Sequence, residues 1–178
     1  MKLFVARHGQ TIYNIKGLCN SDPKLQINLT EIGKQQAEKL ANKLKKVQID
    51  QIYASELIRT EQTAEIVNKF HSAVITIDER LNDNKSGFEN KHFSEYYSAL
   101  DNANNKWTAR FNDGESLEDV KQRVNEFLNE IKSKNHESAL VVTSMIIVQA
   151  IYGILGHHSN QEAWDFSVDL ASCIEFEI

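Results

Sequence analysis

Lys2-Leu3-Phe4-Val5-Ala6-Arg7-His8-Gly9 opens the chain with a short apolar run that stops on a cation, an imidazole and a glycine. Such a run, too brief for a helix, suits a strand buried on both faces. Residues 51–54, 74–77, 140–143 and 173–178 are further β-rich runs of the same kind. Between them Ala37, Leu40, Ala41 and Leu44 recur at helical spacing, as do Leu117, Val120, Val124, Phe127, Leu128 and Ile131. Alternating strands and helices imply crossover connections, hence an α/β three-layer sandwich whose mostly parallel central sheet has helices on both faces. In such sheets ligands bind beyond the carboxyl ends of the strands, so site residues should follow strands directly.

At 178 residues the chain fits one domain, 1–178. Thr30 is placed to cap the helix that follows it, and Ser116 with Asp119 has the spacing of a capping box. Phe93, Tyr96, Tyr97 and Leu100 form another helical patch, and a polar stretch separates them from Trp107. This reads as a lid-like insertion around 84–112. Residues 139–156 are apolar enough to imitate a membrane span, but Thr143, Ser144 and Gln149 interrupt them, which predicts a buried strand, a turn and a buried helix.

Twenty basic against 25 acidic residues give a net charge of -5, which disfavours a nonspecific nucleic-acid or anionic-membrane surface. Cys19 and Cys173 lie far apart without metal-ligand spacing, so reduced thiols are expected and a zinc site is not. The apolar residues before Arg7 are too few for a secretory signal, which leads to the expectation of a cytoplasmic protein. His157 and His158 are adjacent and do not share a helical face, so a metal role is not expected of them either.

An Arg-His-Gly tripeptide in a loop is by itself an ordinary surface feature, but here it has company. Arg7-His8-Gly9-Gln10-Thr11 with Asn14 comes first, then Leu29-Thr30 with Gly33 and Gln36-Ala37. Next comes Ser55-Glu56-Leu57-Ile58-Arg59-Thr60-Glu61-Gln62-Thr63-Ala64, followed by Gly114-Glu115-Ser116 with Arg123 and by Leu140-Val141-Val142-Thr143. In this order they resemble the histidine phosphatase superfamily, which includes the phosphoglycerate mutases. The resemblance implies that His8 is the nucleophile that becomes phosphorylated and that Arg7, Arg59 and Asn14 hold phosphate oxygens. It implies no metal and no cofactor. The chemistry agrees: a neutral imidazole is a competent nucleophile near neutral pH, and an arginine fork can grip two phosphate oxygens at once. Arg80-Leu81-Asn82-Asp83 with Gly87 resembles the segment that carries the family's glutamate acid, which makes Asp83 the candidate proton donor, with a side chain one methylene shorter and Glu79 or Glu89 as substitutes for it.

The pattern breaks after Thr143. Where the family has a second histidine and then a glycine, this chain has Ser144 and Met145. Serine can still donate a hydrogen bond to phosphate but cannot supply charge, so weakened catalysis is expected. Three functions follow: a metal-independent phosphomonoesterase acting on a small phosphorylated molecule, a catalytically degenerate pseudophosphatase that binds phosphate ligands as a regulatory module, or an enzyme that removes phosphate from a phosphohistidine protein. None needs nucleic acid or membrane as a partner, and a last strand at a sheet edge would offer a route to a homodimer.

Overall fold

A computed structural model describes all 178 residues, Met1–Ile178. Its sheet has five strands, β1 (Lys2–Arg7), β2 (Gln51–Ala54), β3 (Val74–Ile77), β4 (Ser138–Thr143) and β5 (Cys173–Glu177), in the order β3-β2-β4-β1-β5. All neighbouring pairs are parallel except β1 with β5, which is an antiparallel edge. The helices are α1 (Ile12–Lys16), α2 (Glu31–Leu44), α3 (Ile58–Asn68), α4 (Phe93–Asp101), α5 (Leu117–Lys132), α6 (Met145–Leu155) and α7 (Asn160–Asp165). The three-layer α/β architecture is thus the one the alternation of elements predicts. No helix is long and apolar enough to cross a membrane.

The two-residue period of the strands divides the core in two. Leu3, Val5, Tyr53, Ala139 and Val141 face α5 and α6, where Val124, Phe127, Ile147 and Ile151 meet them. Phe4, Ala6, Ile52, Leu140 and Val142 face the other way, onto Leu40 and Leu44 of α2 and Ala64 and Val67 of α3. Because β1 and β4 are covered on both faces, neither alternates in sequence.

Local chemistry fixes the helix starts. Thr30 accepts from the Gly33 amide at 3.0 Å to cap α2, and Ser116 and Asp119 cap each other's backbone at the start of α5. Segment 139–156 resolves into β4, a single turning residue, Ser144, and α6. That economy of connection aims the start of α6 at the carboxyl ends of β1 and β4.

Phe127 is fully buried and meets the Tyr53 ring edge-to-face at a centroid distance of 5.3 Å. Phe127→Ala should therefore cost about 3–5 kcal/mol of unfolding free energy, measured by urea denaturation. A loss below about 1 kcal/mol would mean that this half of the core collapses around the missing ring.

Candidate active site

Four strand ends supply the site. β1 and β4 are adjacent, and the His8 amide donates to the Thr143 carbonyl at 2.9 Å, which sets His8 beside Ser144. β2 leads through Ser55 into α3, whose second residue is Arg59. β3 leads through a 3-10 turn, Glu79–Leu81, to Asp83. Arg7, His8, Asn14, Arg59, Asp83 and Ser144 all line one cavity of ≈ 440 Å³, so residues up to 137 positions apart in sequence are brought together.

His8 is buried, and its two ring nitrogens have different tasks. Nδ1 lies 2.7 Å from the Gly9 carbonyl, which can only accept, so Nδ1 carries the proton. Nε2 lies 3.1 Å from Arg59 Nε, which can only donate, so Nε2 is unprotonated and its lone pair accepts that bond. The ring is therefore neutral, and burial together with the Arg59 charge holds its pKa well below the usual histidine range. Thr63 ties the pair together, accepting from the Gly9 amide at 3.1 Å and donating to the Arg59 carbonyl at 2.7 Å. The loop must also pass close to α2, since a Cβ on Gly9 would lie 2.5 Å from the Gly33 carbonyl oxygen. Glycine at position 9 is a requirement of that approach.

Arg59 is only 5% exposed, yet its guanidinium is well provided with acceptors. Nη1 donates to Asn20 Oδ1 at 2.8 Å, and Nη2 reaches the Asn20 carbonyl at 2.9 Å, Asp83 Oδ2 at 3.0 Å and Ser144 Oγ at 3.3 Å. Arg7 contrasts with it. Nη1 donates to the Val168 carbonyl at 3.1 Å, while the buried Nε has no partner. An unpartnered buried donor beside a cavity is the kind of group an anion satisfies.

Asn14 lines the cavity, but its Oδ1 is committed to α1, accepting from the Thr11 amide at 2.8 Å and the Thr11 hydroxyl at 3.0 Å. Only its Nδ2 remains for a ligand. Ser144 is the N-cap residue of α6 and makes no side-chain cap bond, its hydroxyl being turned toward Arg59. Asp83 is positioned from behind by an ion pair. Arg123 grips Glu115 with Nε at 3.0 Å and Nη2 at 2.7 Å and donates to the Arg80 carbonyl at 2.6 Å, while the Lys85 amide donates to Glu115 at 2.9 Å. The Gly-Glu-Ser segment thus clamps both ends of the loop that carries Asp83.

Asn20 is the functional neighbour that sequence reasoning missed. It lies in Asn20-Ser21-Asp22-Pro23, which reads only as a turn, and nothing local signals that it will hold a distant guanidinium. One wall of the cavity is aromatic: Phe93, Tyr96 and Tyr97 reach it from α4. Tyr96 packs on Phe88 and Phe111, and Tyr97 on Trp164, which secures the helix. His92 caps α4 and stacks on Phe93, outside the cavity lining. His158 stacks on Tyr152.

With this geometry established, comparison with known proteins is direct. Residues 3–178 match the sequence profile of the histidine phosphatase superfamily (branch 1). Phosphoserine phosphatase 1 of Hydrogenobacter thermophilus is 30% identical over 179 residues, which cover 97% of this chain and 84% of that protein. Fructose-2,6-bisphosphatase of Saccharomyces cerevisiae is 28% identical over 182 residues, covering 98% of this chain and 38% of that one. The crystal structure of the alpha-ribazole phosphatase from Shigella flexneri superposes with a TM-score of 0.85 at 28% identity, covering 100% of this chain and 91% of that one.

The depressed pKa of His8 has a consequence for stability. In the unfolded chain His8 titrates near the ordinary value of about 6.5, whereas the folded chain keeps it neutral to lower pH. The unfolded state therefore binds the extra proton first. The stability linked to His8 is fully present above about pH 6.5 and falls as the pH drops toward the folded value, by up to about 1.4 kcal/mol per pH unit. Urea unfolding of wild type and His8→Gln between pH 8 and 5 should show the wild type losing stability more steeply below pH 6.5. A stability gap that stays constant with pH would mean that His8 is not held neutral.

Proposed function

This chain belongs to the histidine phosphatase superfamily, branch 1, and on that premise we propose that it hydrolyses a small phosphomonoester through a phosphohistidine at His8. The observation that carries the reading is the unprotonated Nε2 of His8, directed by Arg59 at the end of β1 and bordering the cavity. Nε2 attacks phosphorus, a P–N bond forms, and the ester P–O bond breaks. Asp83 relays the proton of a monoanionic ester to the leaving oxygen, and the alcohol departs. Water then attacks the phosphohistidine, its proton is relayed by Asp83 to the phosphate, the P–N bond breaks, and phosphate leaves His8 neutral as before.

The other groups hold the transferring phosphoryl oxygens. Arg7 brings a donor with no other partner, and Arg59 can exchange its bonds to His8 Nε2, Asp83 and Ser144 for phosphate oxygens, which releases the Nε2 lone pair for attack. That exchange also frees the Asp83 carboxyl to face the leaving group. Asn14 contributes Nδ2 and Ser144 its hydroxyl proton. Nucleophile, acid and charge neutralisation are all side chains, so the route draws on no metal and no cofactor. The named relatives act on different alcohols, so kinship supports the reaction and leaves the substrate to the cavity walls.

Ser144 also favours a second reading, a phosphate-binding module without turnover, because the neutral hydroxyl stands where the family has a histidine. Complete loss of one preorganised donor lowers turnover by about 100 to 1,000-fold, which bounds the effect of exchanging a charged donor for a neutral hydroxyl. Ser144→His with Met145→Gly should therefore raise p-nitrophenyl phosphate hydrolysis about 100-fold, with Ser144→His alone giving less because Met145 crowds the ring. His8→Ala should abolish hydrolysis in every background. If the wild type turns over briskly and the double variant is slower, Ser144 belongs to an efficient site. If the wild type and the double variant both bind vanadate and hydrolyse nothing, the binding-module reading replaces the enzymatic one.

A further inference from the structure

The cavity is larger than a phosphate group needs. At ≈ 440 Å³ it falls in the range of about 300–1,000 Å³ typical of sites that enclose a whole small molecule, so most of its lining faces the part of the substrate that is not phosphate. Arg7 and Arg59 are the only cationic side chains in that lining, and both belong to the phosphate grip. The apolar part of the lining is Leu18, Phe93, Tyr97, Ile146 and Leu170.

Cys19 also lines the cavity, and burial, opposed by a hydrogen bond with Ser86 and reinforced by Asp83, Glu89 and Glu95, pushes its thiol up to about 11, so it remains a neutral part of the lining. A second anionic group on the substrate would find no further cationic side chain in the lining to pair with.

The aromatic side is open to contact. Phe93 is 44% and Tyr97 39% exposed, and their rings lie side by side on α4 at a centroid distance of 5.6 Å. Large aromatic rings this exposed at the edge of a cavity offer apolar surface that a ligand can cover.

Resting on the phosphohistidine reading above, we propose that the substrate is a phosphomonoester whose remainder carries no second anion and presents a flat or apolar face to Phe93 and Tyr97. The phosphate grip fixes one end, the aromatic pair receives the other, and carboxylated or doubly phosphorylated esters are disfavoured because no cationic side chain is left to pair with their second anion.

Three esters of alcohols with similar basicity test this: benzyl phosphate, glycerol 3-phosphate and 3-phosphoglycerate. The last two share a carbon skeleton and differ by a carboxylate. In phosphate-release assays kcat/KM should fall in the order given, with glycerol 3-phosphate ahead of 3-phosphoglycerate by about tenfold or more. Phe93→Ala should reduce the lead of benzyl phosphate by up to about tenfold, and Leu170→Arg should raise kcat/KM for 3-phosphoglycerate. Calorimetry on His8→Ala reads the same order as affinities, without turnover. If 3-phosphoglycerate equals or surpasses glycerol 3-phosphate in rate or affinity, the proposal is overturned. An equal loss for all three esters in Phe93→Ala would remove the aromatic pair from specificity. If the affinity order holds while no ester is hydrolysed, the hydrolytic reading fails and the specificity of the cavity stands.

Discussion

A guanidinium buried to 5% exposure is the constraint around which this molecule is arranged. An arginine cannot shed its charge, so removing it from water demands acceptors for its donors. Asn20 supplies two, Asp83 and Ser144 one each, and the last is the ring nitrogen of His8. These partners come from the loop after α1 and from the carboxyl ends of β1, β3 and β4. Satisfying Arg59 thus fixes the mutual positions of four chain segments, and it makes His8 Nε2 an acceptor, which is the form a nucleophile must take.

The same constraint explains what the sequence reveals and what it hides. Strands β1 and β4 and the apolar stripes of α2 and α5 are legible because hydrophobic burial writes itself as composition and period. Helix α3 is not legible that way: its buried positions are Arg59, Thr60, Thr63, Ala64 and Val67. Thr60 bonds back to Ser55 and Leu57, and Thr63 back to Arg59, so the helix faces the sheet with satisfied hydroxyls in place of an apolar stripe. Its place could be anticipated only from motif resemblance. Arg7 ends β1, and His8 and Ser144 directly follow β1 and β4, so the strand pattern points to them; Arg59 and Asp83 lie several residues beyond β2 and β3 and are singled out only by motif resemblance, and Asn20 follows no strand. Asn14 shows the limit of resemblance, since its capping of α1 emerges only from the three-dimensional hydrogen bonds.

Ser144 occupies the junction at which β4 turns into α6, a position where serine usually accepts a backbone N–H. Here its hydroxyl forgoes the cap and turns to Arg59 at 3.3 Å. The local preference of the residue is overridden by the need of the buried cation, which ties Ser144 to the network and not to helix initiation. Such an oxygen accepts from arginine and still keeps one proton to give, so it links the positioning of Arg59 to whatever anion lies beside it.

The balance of charge in the cavity then follows from the fold. Two guanidiniums face one carboxylate, His8 is neutral, and Arg7 Nε lacks a partner. The surplus favours an anion at the strand ends, and no other cationic side chain lines the cavity. A substrate with charge at one end only would be oriented by this pair of guanidiniums before any shape-dependent contact forms, with phosphorus toward Nε2 and the uncharged remainder toward the aromatic wall. Orientation by charge at one end asks little of the wall itself. It explains how a surface helix such as α4, which brings only the aromatic side chains Phe93, Tyr96 and Tyr97 to the cavity, can complete a site whose charged groups lie on β1, α3 and the loop after β3.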